Sequence, residues 1–405
     1  MVENWLRLWR LRRSSTSTFS YPIWNSSSAT EIEHTFILSQ KPKISIIPSL
    51  FKERRVLNNL KKTNWQKPTL TSDEPIDIPT LMRNLASDDI YTRGKAMYDL
   101  YNNIWYQGRV YAATAFVVPF LIELLQAPSI QDKDGILVLL AHIARGRSSL
   151  AVQPRSEEER YKPEFRQKRE PESAWMEDAH NATRHGVETY LALLENDDPK
   201  IRICAPYTLA CFQECSAQII PTLLSLLEKE KDQQVKASMI LSLEDLVENE
   251  SEYLQLFEDI VRSKEAGLVR LAAAMALARQ AKDKTPAASM KVLVDAIARP
   301  ELIADLYDEL PWANGSIVAD ASATLRNLKP SMAKFAIPVL IKALATVGVY
   351  SALSVTQTLL YLAFDGKNIT FQDLTSEQKM VLKAIANNNT AWKSSLQVHQ
   401  DRLAG

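Results

Sequence analysis

Between His185 and Gln280 the apolar positions recur at helical spacing and then begin again at a fixed interval. Val187, Tyr190, Leu191 and Leu194 fall at i, i+3, i+4 and i+7, and Ile220, Leu223, Leu224, Leu227 and then Tyr253, Leu256, Phe257, Ile260 repeat those offsets. Each set forms one stripe of a helix. A second template follows each stripe, aligned on Asp198, Asp232 and Ala266. It carries an aliphatic residue at +3 (Ile201, Val235, Val269), a base at +4 (Arg202, Lys236, Arg270) and a leucine at +11 (Leu209, Leu243, Leu277). The bases stand 34 residues apart twice in succession. A period of roughly 20 to 50 residues marks units that cannot each bury a core and must stack on their neighbours. The pattern therefore predicts an all-α solenoid of two-helix repeats. Asp198 suits the N-cap of a second helix, with Pro199 at the first helical position, where a missing N–H costs nothing. Ala205 and Ala273 predict close contacts between neighbouring units.

The same register extends to both sides. Ile78-Pro79 opens the first repeat, and Asp89, Thr92, Arg93, Ala96 and Leu100 occupy offsets 0, +3, +4, +7 and +11 of the template. Val118-Pro119 opens the next, with a second helix from Asp132 to Ala144. Between these lies an aromatic cluster of Tyr91, Tyr98, Tyr101, Trp105, Tyr106, Tyr111, Phe116 and Phe120. It suits either a closing cap for the stack or a recognition patch, of which Trp105 and Tyr111 are the candidate residues. The period breaks over 145–173, a charged insertion that cannot bury a core and should project as a loop or a solvated helix. A smaller insertion at 300–315 places Asp305, Asp308 and Glu309 beside Trp312, an acidic lip with an aromatic anchor. Asn314 restarts the template through Ile317, Val318, Ala321 and Leu325. Ile337-Pro338 opens the last clear unit, with Leu353 to Phe364 as its second helix, and a helix from Leu374 to Ala386 closes the stack. The count comes to about seven repeats with two insertions.

The Ile220-Pro221 opening, the Asp-x-x-Val-Arg-like turn and the small residue at +7 resemble HEAT repeats, the two-helix units of α-solenoids. In Ile104-Trp105-Tyr106-Gln107-Gly108-Arg109-Val110-Tyr111, Val118-Pro119-Phe120-Leu121, Leu193 to Arg202 and Leu310-Pro311-Trp312, the chain is also similar to bacterial HEAT-repeat proteins of no assigned activity. The resemblance covers roughly residues 76–365. It implies a scaffold and speaks to no particular chemistry.

Length and composition agree with that architecture. A chain of 405 residues exceeds the roughly 250 to 300 at which one compact core stops growing, a limit that a solenoid escapes by extending in one dimension. Ten glycines and the lack of hairpin signals favour helices throughout. No apolar run reaches the roughly 18 residues of a membrane span, so a soluble protein is expected. Residues 1–70 hold twelve Lys/Arg against four Asp/Glu, so within a chain of net charge zero the head is +8 and the remainder −8. An acidic body argues against nucleic acid as a partner, since that binding rests on neutralising phosphates. Three parts are expected: a basic, Ser/Thr-rich, disordered head over 1–75 with one short helix near Phe51 to Leu60, the solenoid over 76–386, and a frayed tail over 387–405. Residues 1–30 have the composition of an organellar transit peptide or of an overlong start; otherwise the cytoplasm is expected.

Candidate chemistry is sparse. Cys204, Cys211 and Cys215 lie within twelve residues; their spacing is not the paired spacing of a zinc site, and they read as core thiols in a reducing compartment. Glu177 and His180 make a single Glu-x-x-His step where a di-iron centre needs two. No nucleotide loop or nucleophile elbow occurs. Hence no catalytic residue, cofactor or metal is called for. Two classes remain: a non-catalytic scaffold that binds another protein or peptide, and a HEAT-like enzyme subunit such as a bilin-lyase-like protein, which has only the fold behind it.

Overall fold

The computed structural model describes residues 77–106, 108–147, 163–247, 251–364 and 373–388, together with Leu57, Leu60 and Trp65. Among the described residues, seven two-helix units follow one another: α1 (Ile78–Leu85) with α2 (Ile90–Ile104), α3 (Thr114–Gln126) with α4 (Lys133–Ala144), and α5 (Pro163–Arg184) and α6 (Val187–Ala192) with α7 (Pro199–Leu209). Then come α8 (Ser216–Leu227) with α9 (Gln233–Leu246), α10 (Ser251–Arg262) with α11 (Gly267–Ala281), α12 (Ala287–Ala298) with α14 (Ile317–Leu325), and α16 (Ile337–Leu344) with α17 (Val349–Phe364). A short α13 (Ala304–Asp308) interrupts the sixth unit, α15 (Pro330–Ala333) precedes the seventh, and α18 (Ser376–Ala386) packs on its two helices. The fold is an α-solenoid. A two-stranded hairpin, β1 (Trp105–Tyr106) and β2 (Arg109–Val110), follows α2, and Gly108 at φ +89° closes its turn in a conformation that glycine adopts freely.

The second helices start where the template places them. The Asp89 carboxylate accepts from the Thr92 N–H (2.8 Å), Asp198 from Lys200 (2.9 Å), and Asp232 from both Gln234 (2.8 Å) and Val235 (3.1 Å). Ala266 has no side chain with which to do this, and α11 begins without such a cap. The restart of the template differs from expectation: Ser316 caps α14 by accepting from Ala319 (3.2 Å), while the Asn314 N–H turns inward to Asp320 (2.8 Å).

The repeated base has a repeated task. The Arg93 guanidinium donates to the carbonyls of Ser87 and Asp88 (both 2.9 Å) and pairs with Asp132 of the next unit (2.6 Å). Arg202 does the same with Asn196 (2.8 Å), Asp197 (3.0 Å) and Glu230 (3.0 Å), and Lys236 pairs with Glu265 (2.5 Å). Arg93 and Arg202 thus close their own turns and tie them to the next, Lys236 makes only the tie to the next, and Arg270 donates to the Val261 carbonyl (2.9 Å). Asp132 spends its carboxylate on Arg93 and makes no cap bond to α4.

Neighbouring second helices lie close enough for hydroxyls to reach across. Thr208 donates to the Leu137 carbonyl (2.9 Å), Ser238 to Ile203 (2.6 Å), Ser354 to Ala319 (2.9 Å) and Thr358 to Ser322 (3.0 Å). Ala205 and Ala273 are fully buried, as are Leu209 and Leu243. One continuous core runs the length of the stack. It includes Leu57 and Leu60; the Leu57 N–H donates to Glu123 on α3 (2.8 Å), and Trp65 packs on Phe120 at 5.6 Å between ring centroids. The expected helix near Phe51 to Leu60 otherwise lies outside the described residues, as do residues 1–30, 148–162 and the tail from 389. The charged insertion enters the described chain as the N-terminal part of α5. No described helix is long and apolar enough to cross a membrane.

Candidate functional site

The N-terminal aromatic cluster divides. Tyr91, Tyr98, Tyr106 and Phe116 stay exposed, whereas Tyr101 and Trp105 pack inward. The Trp105 ring stacks on His142 of α4, with centroids 4.9 Å apart and planes 19° off parallel. Tyr101 meets both rings edge-on, and its hydroxyl lies 3.3 Å from His142 Nδ1. His142 in turn faces Tyr207 of α7 at 6.3 Å, and Tyr207 meets Trp312 edge to face at 4.9 Å. A row of rings therefore crosses the second-helix face from the hairpin, over α4 and α7, to the insertion at 300–315. Edge-to-face and offset arrangements of this kind follow the ring quadrupoles.

Charge lies over the row. The Arg145 guanidinium, just past α4, sits 4.8 Å above the Tyr207 ring and 5.5 Å from that of Trp312, and pairs with Asp245 of α9 at 3.0 Å. Next to it, Glu244 accepts from Arg279 of α11 at 3.0 Å. Burial pushes the Glu244 carboxyl up to about 7, against the Arg279 charge and with the help of Asp245. The Cys211 thiol lies under the same cluster, 3.6 Å from the Ala141 carbonyl, and burial pushes its pKa up too. A thiol so placed is a poor nucleophile.

The insertion at 300–315 folds inward. The Trp312 indole N–H donates to Ser238 Oγ (3.1 Å), and Gln234 one turn earlier donates to the Leu306 carbonyl (3.0 Å) and to Glu309 (3.1 Å). Between these contacts the Tyr307 hydroxyl donates to Asp320 of α14 (2.7 Å). Trp312 is consequently half-buried, while Asp305, Asp308 and Glu309 remain exposed beside it. Of the candidate residues, the fold joins Trp105 and Trp312 through His142 and Tyr207 and sets the three carboxylates at the Trp312 end. Tyr111 sits past the hairpin, half-buried, its N–H donating to Thr114 Oγ1 (2.9 Å). His142, Arg145, Tyr207, Glu244 and Asp245 carry no signal in the periodic pattern that distinguishes them from other helix positions.

Elsewhere, an open, largely apolar groove of about 730 Å³ lies between α3 and α5, with Phe116, Phe120, Ile122, Ala182 and His185 in its lining. Among the described residues no group of His, Cys, Asp and Glu is placed to hold a metal ion. His180, the histidine of the Glu-x-x-His step, instead contacts the Ala144 carbonyl (3.1 Å) and Glu214 (2.8 Å).

The class is thus an α-solenoid with an aromatic and charged second-helix face. Residues 182–278 match the family model of HEAT repeats, the stretch in which the 34-residue period is most regular. No curated protein matches the chain.

Proposed function

We propose that this protein is a non-catalytic scaffold that holds another protein or peptide against its second-helix face, which in a superhelix of such repeats is the extended concave one. HEAT repeats commonly mediate protein interactions. The observation that carries the reading is the row Trp105, His142, Tyr207, Trp312 under Arg145, bordered by the exposed Asp305, Asp308 and Glu309. Aromatic and arginine groups with polar handles are the side chains that dominate recognition surfaces, and a charged rim steers encounter.

The test is affinity capture from the native cell followed by measurement of the captured partner against variants. Trp105→Ala and Trp312→Ala are each expected to weaken binding tenfold or more, with Trp312→Phe weakening it less. Asp308→Lys should chiefly slow association at low salt. Full affinity in both tryptophan variants, with native circular dichroism, would overturn the assignment. Loss of binding on Trp105→Ala or a change at Tyr111, with Trp312→Ala unaffected, would move the site to the first repeats.

A further inference from the structure

A stack of repeats held only by contacts between neighbours is quasi-one-dimensional: each unit feels the next, and a local loss of stability fades along the array. Two sets of contacts in this chain do not follow that rule. The second helices stack in the order α4, α7, α9, α11, α14, and the insertion leaves this order between α12 and α14. From there it passes over α11 to reach α9 and α7: Gln234 donates to Leu306 O (3.0 Å), the Trp312 indole N–H donates to Ser238 Oγ (3.1 Å), and the Trp312 ring meets that of Tyr207 (4.9 Å between centroids). The Arg145 guanidinium extends the reach to the end of α4, lying 5.5 Å from the Trp312 ring. The second set is the Arg145–Asp245 pair at 3.0 Å, which passes over α7.

The insertion is anchored on both sides of Trp312. Tyr307 is buried and donates to Asp320 within α14 (2.7 Å), and the same carboxylate accepts from the Asn314 N–H (2.8 Å), so the stretch that carries Trp312 is pinned to its own unit on either side of the ring. Leu310 is also buried.

We propose that residues 300–315 form a strap that makes the repeats from α4 to α14 a single cooperative block, with Trp312 as its key contact. This stands apart from the partner reading and needs no ligand.

The test is native-state amide hydrogen exchange on the full chain, with Leu293→Ala in α12 as a local perturbation; Leu293 is fully buried. In the otherwise native chain this change is expected to lower protection in α4 by tenfold or more, about as much as in α14. In a Trp312→Ala background the same change should still lower protection in α11 and α14 but leave α4 within twofold. Unchanged α4 protection on Leu293→Ala in the native chain overturns the proposal, and so does an undiminished effect on α4 in the Trp312→Ala background. Should Trp312→Ala not fold, Trp312→Phe retains a ring against Tyr207 and loses only the bond to Ser238; it is expected to reduce the transmitted effect, and transmission equal to the native chain counts against the strap.

Discussion

The Trp312 ring stands on the edge of the Tyr207 ring, 4.9 Å away and at 88°, although 105 residues separate the two. It also donates to Ser238, so its removal takes away an edge-to-face contact, a hydrogen bond and buried surface at once. Truncating a packed tryptophan costs about 3 kcal/mol. Trp312→Ala is therefore expected to lower the thermal midpoint clearly, and Trp312→Phe by roughly half as much; calorimetry on the two variants checks the ordering. Equal midpoints for Trp312→Ala and the native chain would show that the ring is not packed.

The repeat register predicts a contrast within one unit. Ala273 is fully buried, so Ala273→Phe overfills the core and should cost about 1 to 3 kcal/mol. Asp283 lies in a short 3₁₀ turn after α11, where it pairs with Lys329 at 2.7 Å with both side chains largely exposed. Such pairs contribute about 0 to 1 kcal/mol. Asp283→Ala should leave the midpoint nearly unchanged, and negligible shifts in both variants would overturn the register.

Arg202 is one-fifth exposed and holds two carbonyls as well as Glu230, a fork that an ammonium group cannot reproduce. Arg202→Lys is expected to cost about 1 to 2 kcal/mol in urea denaturation. Arg262, whose side chain is well exposed and paired with Glu258 four residues earlier in α10, provides the comparison: Arg262→Lys should be within about 0.5 kcal/mol of the native chain.

Glu244 gives a pH dependence with a definite sign. Its carboxyl titrates near 7 in the folded chain because burial disfavours the charge, against about 4.3 for an unfolded glutamate. The folded state holds the proton more tightly, so this contribution to stability is full below the unfolded value and is lost as pH rises through the folded one. The difference is on the order of 3 kcal/mol. Asp245 and Asp320 are raised as well, burial being the main cause in each, and act in the same direction. Denaturation midpoints measured across that window should fall as pH rises, and Glu244→Gln should flatten the slope while keeping a hydrogen bond to Arg279. An identical slope in the two chains would place the titration elsewhere.

At the N-terminal end, Leu60 is buried to within 2 % of full cover beside Leu57. The sequence alone reads residues 1–75 as a disordered head; the packing of Leu57, Leu60 and Trp65 on α3 and the first repeats predicts a contribution to stability instead. Leu60→Ala should cost about 2 to 4 kcal/mol, and a thermal midpoint equal to the native one would restore the simpler view.

The fold was legible from the sequence because its causes are local. A helix stripe, an aspartate cap and a base at +4 each act within a few residues of their own position, and the 34-residue interval repeats these local causes until a stack is the only way to bury the stripes. For Arg93, Arg202 and Lys236 the next turn brings an acid to the same place, Asp132, Glu230 or Glu265, whereas Arg270 reaches only the Val261 carbonyl. Trp105 and Trp312 stand out in the sequence as aromatics at breaks in the pattern, and the fold links their rings through His142 and Tyr207. What the sequence could not supply was their common surface. His142, Arg145, Tyr207, Glu244 and Asp245 are ordinary residues of helix ends, and only the rotation accumulated from unit to unit decides that they face one another across a hundred residues of chain. The inward fold of the 300–315 insertion was decided in the same way. Its acidic and aromatic composition suits an exposed lip as well as a strap, and the choice rests on where the stack sets the Ser238 hydroxyl and the edge of Tyr207.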